Sequence, residues 1–293
     1  MRLASVLTLA VAAALVRAAA GAAPAQPSAE QIIAKNVAAR GGLEAWRKIE
    51  TLVWVGHLRS EQAPLPSMGF ILEQKRPNKT RFELLGMNQK SVRVFDGRHG
   101  WTMHGGQNGP SEAKPFSPEE LLFAQGAPGL AGPLIDYAAQ GSRVTLEGVE
   151  KLQGRKTYRL GVHRSSGEID HVWVDAKTYL DVRYDRPSAG KLPTSHPVSV
   201  YYGDYRVAAG VQIAAVIETG GRPGRATDRM AIERMVVNSP LDDTVFTGSG
   251  GGSMSPSGER GRVAAPLPAM PTPASPSSEP TSSPGGTAEV TGK

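Results

Sequence analysis

From residue 51 onward the chain alternates apolar and polar side chains with the two-residue period of half-buried strands. Around 91–104, Val92, Val94 and Trp101 are spaced for one face and Arg93 and Phe95 for the other, with Asp96-Gly97 between them as a strong hairpin signal. The same pattern assigns strands to 51–59, 68–74, 80–85, 91–95 and 101–104, and again to 143–149, 156–162, 168–174, 179–184, 198–207, 211–218 and 227–237. The later strands are joined by short turn-like links: Leu152-Gln153-Gly154, Ser166-Gly167, Asp175-Ala176-Lys177 and Ala209-Gly210. These links spell consecutive hairpins, an antiparallel meander rather than alternating strands and crossover helices.

Helical periodicity is confined to two places. Ser28 followed three residues later by Gln31 has capping-box spacing, and Ile32, Ile33 and Val37 then fall on one helical face. Gly41-Gly42 ends that helix, Gly41 fitting the left-handed cap position, and 43–49 adds a short turn with Trp46 and Ile49 facing one way. Between the two groups of strands, Ser117-Pro118-Glu119-Glu120 starts a helix over 118–125, with proline in the first turn and acids against the dipole. A second apolar piece, 132–139, carries Leu134, Ile135 and Tyr137, and Phe246 is expected to plug the core where the domain closes. The expected fold is mainly β with a few helices: a curved antiparallel sheet, an incomplete half-barrel, covered on its concave side by helices.

The ends differ in composition from the middle. Met1-Arg2, the apolar run 3–16 and the small residues of 18–25 read as a secretory signal peptide over 1–25, too short an apolar run for a spanning helix. Residues 26–247 form one domain, and 248–293, rich in Gly, Ser, Pro and Thr, are expected to be a disordered tail. The chain contains no cysteine, which excludes disulfides and a lipid anchor on a cysteine, so a soluble periplasmic protein is expected. The formal charge of +6 raises nucleic acid as a partner. However, Arg2 and Arg17 lie in the leader and the tail is balanced (Arg260, Arg262 and Lys293 against Glu259, Glu279 and Glu289), which leaves the domain at +4 with no basic block. Nucleic acid is therefore not expected.

Catalytic chemistry is poorly represented. His163 and His171 on neighbouring strands, with Asp170 or Asp175 close by, are the one arrangement that suits a metal-dependent enzyme. His99 and His104 flank the Trp101 hairpin, and His57 and His196 stand alone. Neither a Gly-x-Ser-x-Gly elbow nor a thiol is present. Glu119-Glu120 and Asp242-Asp243 sit where a helix start and a closing turn want acids. Glycine runs such as Gly220-Gly221-Arg222-Pro223-Gly224 link strands and open no helix, as a phosphate loop would. No cofactor, metal or enzymatic activity is expected.

What remains is apolar surface and one placed cation. Leu121, Leu122, Phe123, Leu130, Leu134 and Ile135 lie in a segment hinged by Gly126, Pro128, Gly129, Gly132 and Pro133, a pattern that suits either core or a lid over a cavity. The succession from Phe70 to Met103 of strand, Lys75-Arg76-Pro77-Asn78, two strands and an Asp-Gly hairpin to Trp101 resembles the LolA/LolB-like lipoprotein carriers. That resemblance implies a sheet wrapped around an apolar cavity, with Arg76 as a latch on lid carbonyls. It also implies an acylated lipoprotein or lipid as the ligand, with a monomer expected; Trp54, Phe70 and Trp101 are the candidate aromatics of the sheet. The long tail and the helix break at Gly41-Gly42 depart from the carriers. The alternative on the same fold is an envelope sensor or interaction module that binds a membrane protein.

Overall fold

The computed structural model describes residues 26–61, 66–86, 89–105, 112–186, 198–220 and 227–248. Residues 1–25, where a signal peptide is expected, those beyond Gly248, where a disordered tail is expected, Gly221-Arg222-Pro223-Gly224 and His196 lie outside the described residues. Helix α1 (Ala29–Ala39) begins at its capping box: Gln31 N donates to Ser28 Oγ at 3.2 Å, and Ser28 N donates to Gln31 Oε1 at 3.0 Å. It stops at Gly41, whose φ of +104° and close approach to Gly210 O leave no room for a side chain. Helix α2 (Leu43–Arg47) follows and turns Trp46, with Ile49 just beyond it, into the core.

The strands form two meanders. The first is β1 (Thr51–Ser60), β2 (Met68–Lys75), β3 (Lys79–Gly86), β4 (Gln89–Phe95), β5 (Gly100–Gly105) and the short β6 (Lys114–Pro115). The second is β7 (Arg143–Leu152), β8 (Arg155–His163), β9 (Ile169–Asp175), β10 (Asp181–Arg186), β11 (Val198–Ala208), β12 (Val211–Thr219) and β13 (Asp228–Val237). Strand β1 pairs antiparallel with β13, fusing the meanders into one 13-stranded sheet that runs from β6 through β1 and β13 to β7 and does not close. At the bulge between Val55 and Gly56 a Cβ on Gly56 would lie 2.0 Å from Ala231 O, so only glycine fits the seam. Helix α3 (Pro118–Gln125) lies between the meanders, and a 3-10 turn at Asp243–Phe246 closes the domain.

Two local differences from the sequence reading have simple causes. The strand expected from 179 starts at Asp181, because Tyr179 (φ +58°) completes a turn in which Asp175 Oδ1 accepts from Lys177 N and Thr178 N, each at 2.8 Å. Strand β6 is two residues long, too short to leave an alternation.

Cross-strand register sorts the side chains into two faces. The inner face carries Leu52, Trp54 and Leu58 of β1 opposite Gln74, Leu72 and Met68 of β2, which continue to Thr80 and Phe82 of β3. Its far half carries Leu160 of β8, Val172 of β9 and Tyr184 of β10. Helix α1 buries Ile32 and Ile33 on that far half together with Leu134, Val144, Leu160 and Val162. Trp46, Ile49 and Ile135 cover Leu52, Val211 and Ile213 in the middle. The outer face is mostly polar. Its apolar part, Val92, Val94, Trp101 and Met103, lies under Leu241, Val245 and the fully buried Phe246. Beside it Arg81 is ion-paired with Glu83 and Glu73, all three buried.

Candidate functional site

The site is built around α3. Ser117 caps it with a second capping box: Glu120 N donates to Ser117 Oγ at 3.2 Å and Ser117 N to Glu120 Oε2 at 2.9 Å. Although Leu121, Leu122, Phe123 and Ala124 make it apolar, the helix buries none of its residues, and Leu122 is 60% exposed. Its ends are tied to opposite halves of the sheet. Near its start, Arg93 of β4 donates to Glu120 Oε1 at 2.8 Å and lies over the Phe116 ring at 4.6 Å. Hydrogen bonds from Ser117 first, then from Arg93, hold the Glu120 carboxyl below its usual range. At its end, Arg164, in the turn after β8, donates from Nη1 to Gly126 O at 2.8 Å.

This bridge measures the curvature of the sheet. Strands β4 and β9 are eight steps apart in the sheet order, about 38 Å if it were flat. Glu120 and Gly126 are six residues apart, about 9 Å of helix. The sheet must therefore curl until its two halves face one another, and α3 lies across the mouth of the curl.

Two arginines clasp the chain beyond α3, and each rests on a buried carboxylate. Arg164 Nε donates to Asp170 Oδ2 at 2.6 Å, Arg164 Nη2 to Tyr184 OH at 2.9 Å, and Tyr184 OH to Asp170 Oδ2 at 2.9 Å. Asp170 is fully buried, and burial pushes its carboxyl above the usual range despite the pull of Arg164. Tyr184 is likewise raised, by burial and then by Asp170. Arg40 Nη1 donates to Ala131 O at 2.8 Å and to Asp181 Oδ2 at 3.2 Å, and Asn36 Nδ2 donates to Asp181 Oδ1 at 2.9 Å. Burial raises the Asp181 carboxyl too, opposed by Arg40. Arg47 grips Asp136 with two bonds of 2.9 Å.

Between these ties the inner face is only partly covered. Phe70, Leu58 and Ile232 are buried, while Trp54, Met68, Leu72, Phe82, Leu84, Ile217, Met230 and Met235 around them are half-buried. Phe70 and Phe82 lie 5.9 Å apart, ring centre to ring centre. This is a continuous apolar strip with aromatic and thioether side chains, the adaptable kind of surface that takes up flexible apolar ligands.

The residues singled out from the sequence divide among these parts. Trp54 and Phe70 share the inner face, but Trp101 is on the outer face, where Gly248 packs on its indole. Leu121 and Phe123 are half-buried on α3, Leu130 packs against the cluster of Trp46 and Ile135, and Leu134 and Ile135 are buried anchors. Arg76, whose peptide bond to Pro77 is cis, does donate to backbone carbonyls: Nε to Ile49 O at 2.7 Å and Nη2 to Trp46 O at 3.0 Å. Those carbonyls lie in the last turn of α2 and just beyond it. Among the described residues, the arginines hydrogen-bonded to 117–136 are Arg93, Arg164, Arg40 and Arg47, which sequence reasoning missed. One signal was there: Asp170 occupies an inward position in step with Val172 and Val174, where the alternation calls for an apolar residue.

His163 and His171 both lie on the outer face, near Thr145 Oγ1 (3.0 Å) and Glu147 Oε2 (3.4 Å) respectively, while Asp170 points to the other side. Among the described residues no three metal-ligating side chains come together.

No family model matches the chain, and neither does any curated protein. Among solved structures, the chain is similar to a LolA superfamily protein, NE2245 from Nitrosomonas europaea, at 13% identity over 76% of this chain and 98% of that one, with a TM-score of 0.48. It is also similar to a DUF1329 family protein from Desulfovibrio piger at 13% identity over 74% of this chain and 96% of that one, with a TM-score of 0.47.

Proposed function

We propose that this chain is a non-catalytic binding protein of the periplasm that shelters acyl chains of lipids or lipoproteins on the inner face of its sheet, beneath α3. The observation that carries this reading is α3 itself. An apolar helix that buries none of its own residues is tied at both ends across the mouth of a half-covered apolar strip. Such a helix has little packing to lose when it lifts, and an acyl chain beneath it replaces water on both apolar surfaces. Each methylene so buried contributes about 0.8 kcal/mol, so half a chain binds usefully. Arg76 is assigned a latch role through α2, whose last carbonyls it holds beside the strip.

The test is native mass spectrometry of full-length protein from its own periplasm, prepared without detergent and followed by organic extraction, alongside binding of a fluorescent fatty acid. Bound lipid or acylated protein, and saturable binding of the probe, are the expected results. A lipid-free protein that also ignores the probe overturns the reading and turns attention to a protein partner. For the latch, Arg76→Leu is expected to keep the fold and alter uptake or release of the probe; unchanged exchange removes that role.

A further inference from the structure

Among the buried polar atoms of the inner face that lack a hydrogen-bond partner, two belong to residues that the register makes neighbours. Trp54 Nε1, a donor, comes from β1; Gln74 Oε1, an acceptor, comes from β2. Trp54 pairs across the strands with Leu72, and Gln74 with Leu52, so the two are diagonal neighbours on one face. Their surroundings are apolar: Leu72, Phe82 and Met235 share a cluster with Trp54, and Leu130 packs on the adjoining one. A buried donor or acceptor left unpaired costs a folded protein about tenfold in equilibrium constant or more. Phenylalanine and methionine would fill the same space without that cost.

The pair also stands at one end of the apolar strip. Along β2 the inward side chains run Gln74, Leu72, Phe70 and Met68. At the rise of a strand the six steps from Gln74 to Met68 cover about 20 Å, and one acyl chain spans about 15 Å, half the hydrocarbon thickness of a bilayer. A donor and an acceptor thus meet a hydrophobic track of acyl-chain length.

We infer that the ligand of this face carries an amide at the head of its hydrocarbon chain. The amide oxygen accepts from Trp54 Nε1–H, the amide N–H donates to Gln74 Oε1, and the chain follows Leu72, Phe70 and Met68. An ester or a carboxylate offers acceptors only and leaves Gln74 unpaired; a hydrocarbon leaves both. This inference rests on the acyl-chain reading above and narrows its ligand to N-acylated amines or peptides.

The experiment is displacement of a bound fluorescent fatty acid from the full chain by N-methylpalmitamide, methyl palmitate and heptadecane, each delivered from cyclodextrin. The amide is expected to bind about tenfold more tightly than the ester, and the ester about tenfold more tightly than the hydrocarbon. Trp54→Phe is expected to collapse the preference for ester over hydrocarbon, and Gln74→Met the preference for amide over ester. Both changes nearly conserve volume, and urea midpoints confirm that the variants fold. Equal displacement by all three compounds, or an amide preference that survives Gln74→Met, overturns the amide inference and leaves the acyl-chain reading standing. Displacement by none of the three, with no lipid in the native preparation, brings down the acyl-chain reading itself.

Discussion

Replacing Arg164 with methionine tests the clasp at the end of α3 most directly. Asp170 is fully buried; its Oδ1 has no partner, and its Oδ2 accepts from Arg164 and Tyr184. Without the guanidinium, a buried carboxylate keeps one neutral donor. Breaking a buried ion pair from one side costs about 3–5 kcal/mol, and since the Arg164 side chain is 20% exposed, water softens the loss toward about 3 kcal/mol. In a domain of this size that lowers the melting temperature by about 6–12 °C and the urea midpoint by about 1 M. Substituting Asp170→Asn as well removes the stranded charge, and the double variant should recover most of the deficit. The pH dependence has a definite sign. Burial raises the folded Asp170 carboxyl above its unfolded value, and losing Arg164 raises it further, so stability is lost as pH rises through that folded value. The deficit of Arg164→Met should therefore shrink on acidification from neutral pH. Amide exchange in 118–126 should speed up in the same variant, since the Gly126 carbonyl is released. A single variant within about 0.5 kcal/mol of the parent, or a double variant as unstable as the single, refutes the reasoning.

Other outcomes can be checked with the same assays. Leu122→Glu, at a 60% exposed position on α3, should leave the stability read from urea unfolding unchanged within about 0.5 kcal/mol while weakening uptake of a fluorescent fatty acid. Phe246→Ala should cost about 3–5 kcal/mol by emptying the apolar site on the outer face, read as a lower melting temperature. Gly56→Ala should destabilise by about 1–3 kcal/mol, because its methyl group collides with Ala231 O at the β1–β13 seam. Burial raises the Glu73 carboxyl, so it lowers stability as pH climbs above the unfolded carboxylate range; Glu73→Gln should stabilise at pH 8 and have no effect at pH 4.

The fold was legible because its elements are locally consistent. Ser28 and Ser117 sit at capping-box spacing, several hairpins turn on glycines, and alternation places twelve of the thirteen strands. Alternation does not say which face is inner, and so Trp101 could be grouped with Trp54 and Phe70, although register puts it on the opposite face. The site was less legible because its ties are long-range. Arg40 meets Asp181 across 141 residues and Arg164 meets Gly126 across 38, and no local pattern records either. The apolar segment 118–139 was singled out, but not its division of labour: Leu134 and Ile135 are buried in the core while Leu122 is exposed.

The pairing of β1 with β13 has a consequence for how the domain comes into being. The sheet is stitched down its middle by the first and last strands of the domain: Leu52 lies beside Val237, and the register continues to Ser60 beside Asp228. Nearly the whole domain must exist before this seam can form, and such non-local pairing makes folding slow. Until β13 emerges, β1 offers an unpaired edge and the second meander lacks its last strand. The two halves of the sheet are joined along this seam only once the last strand of the domain is available.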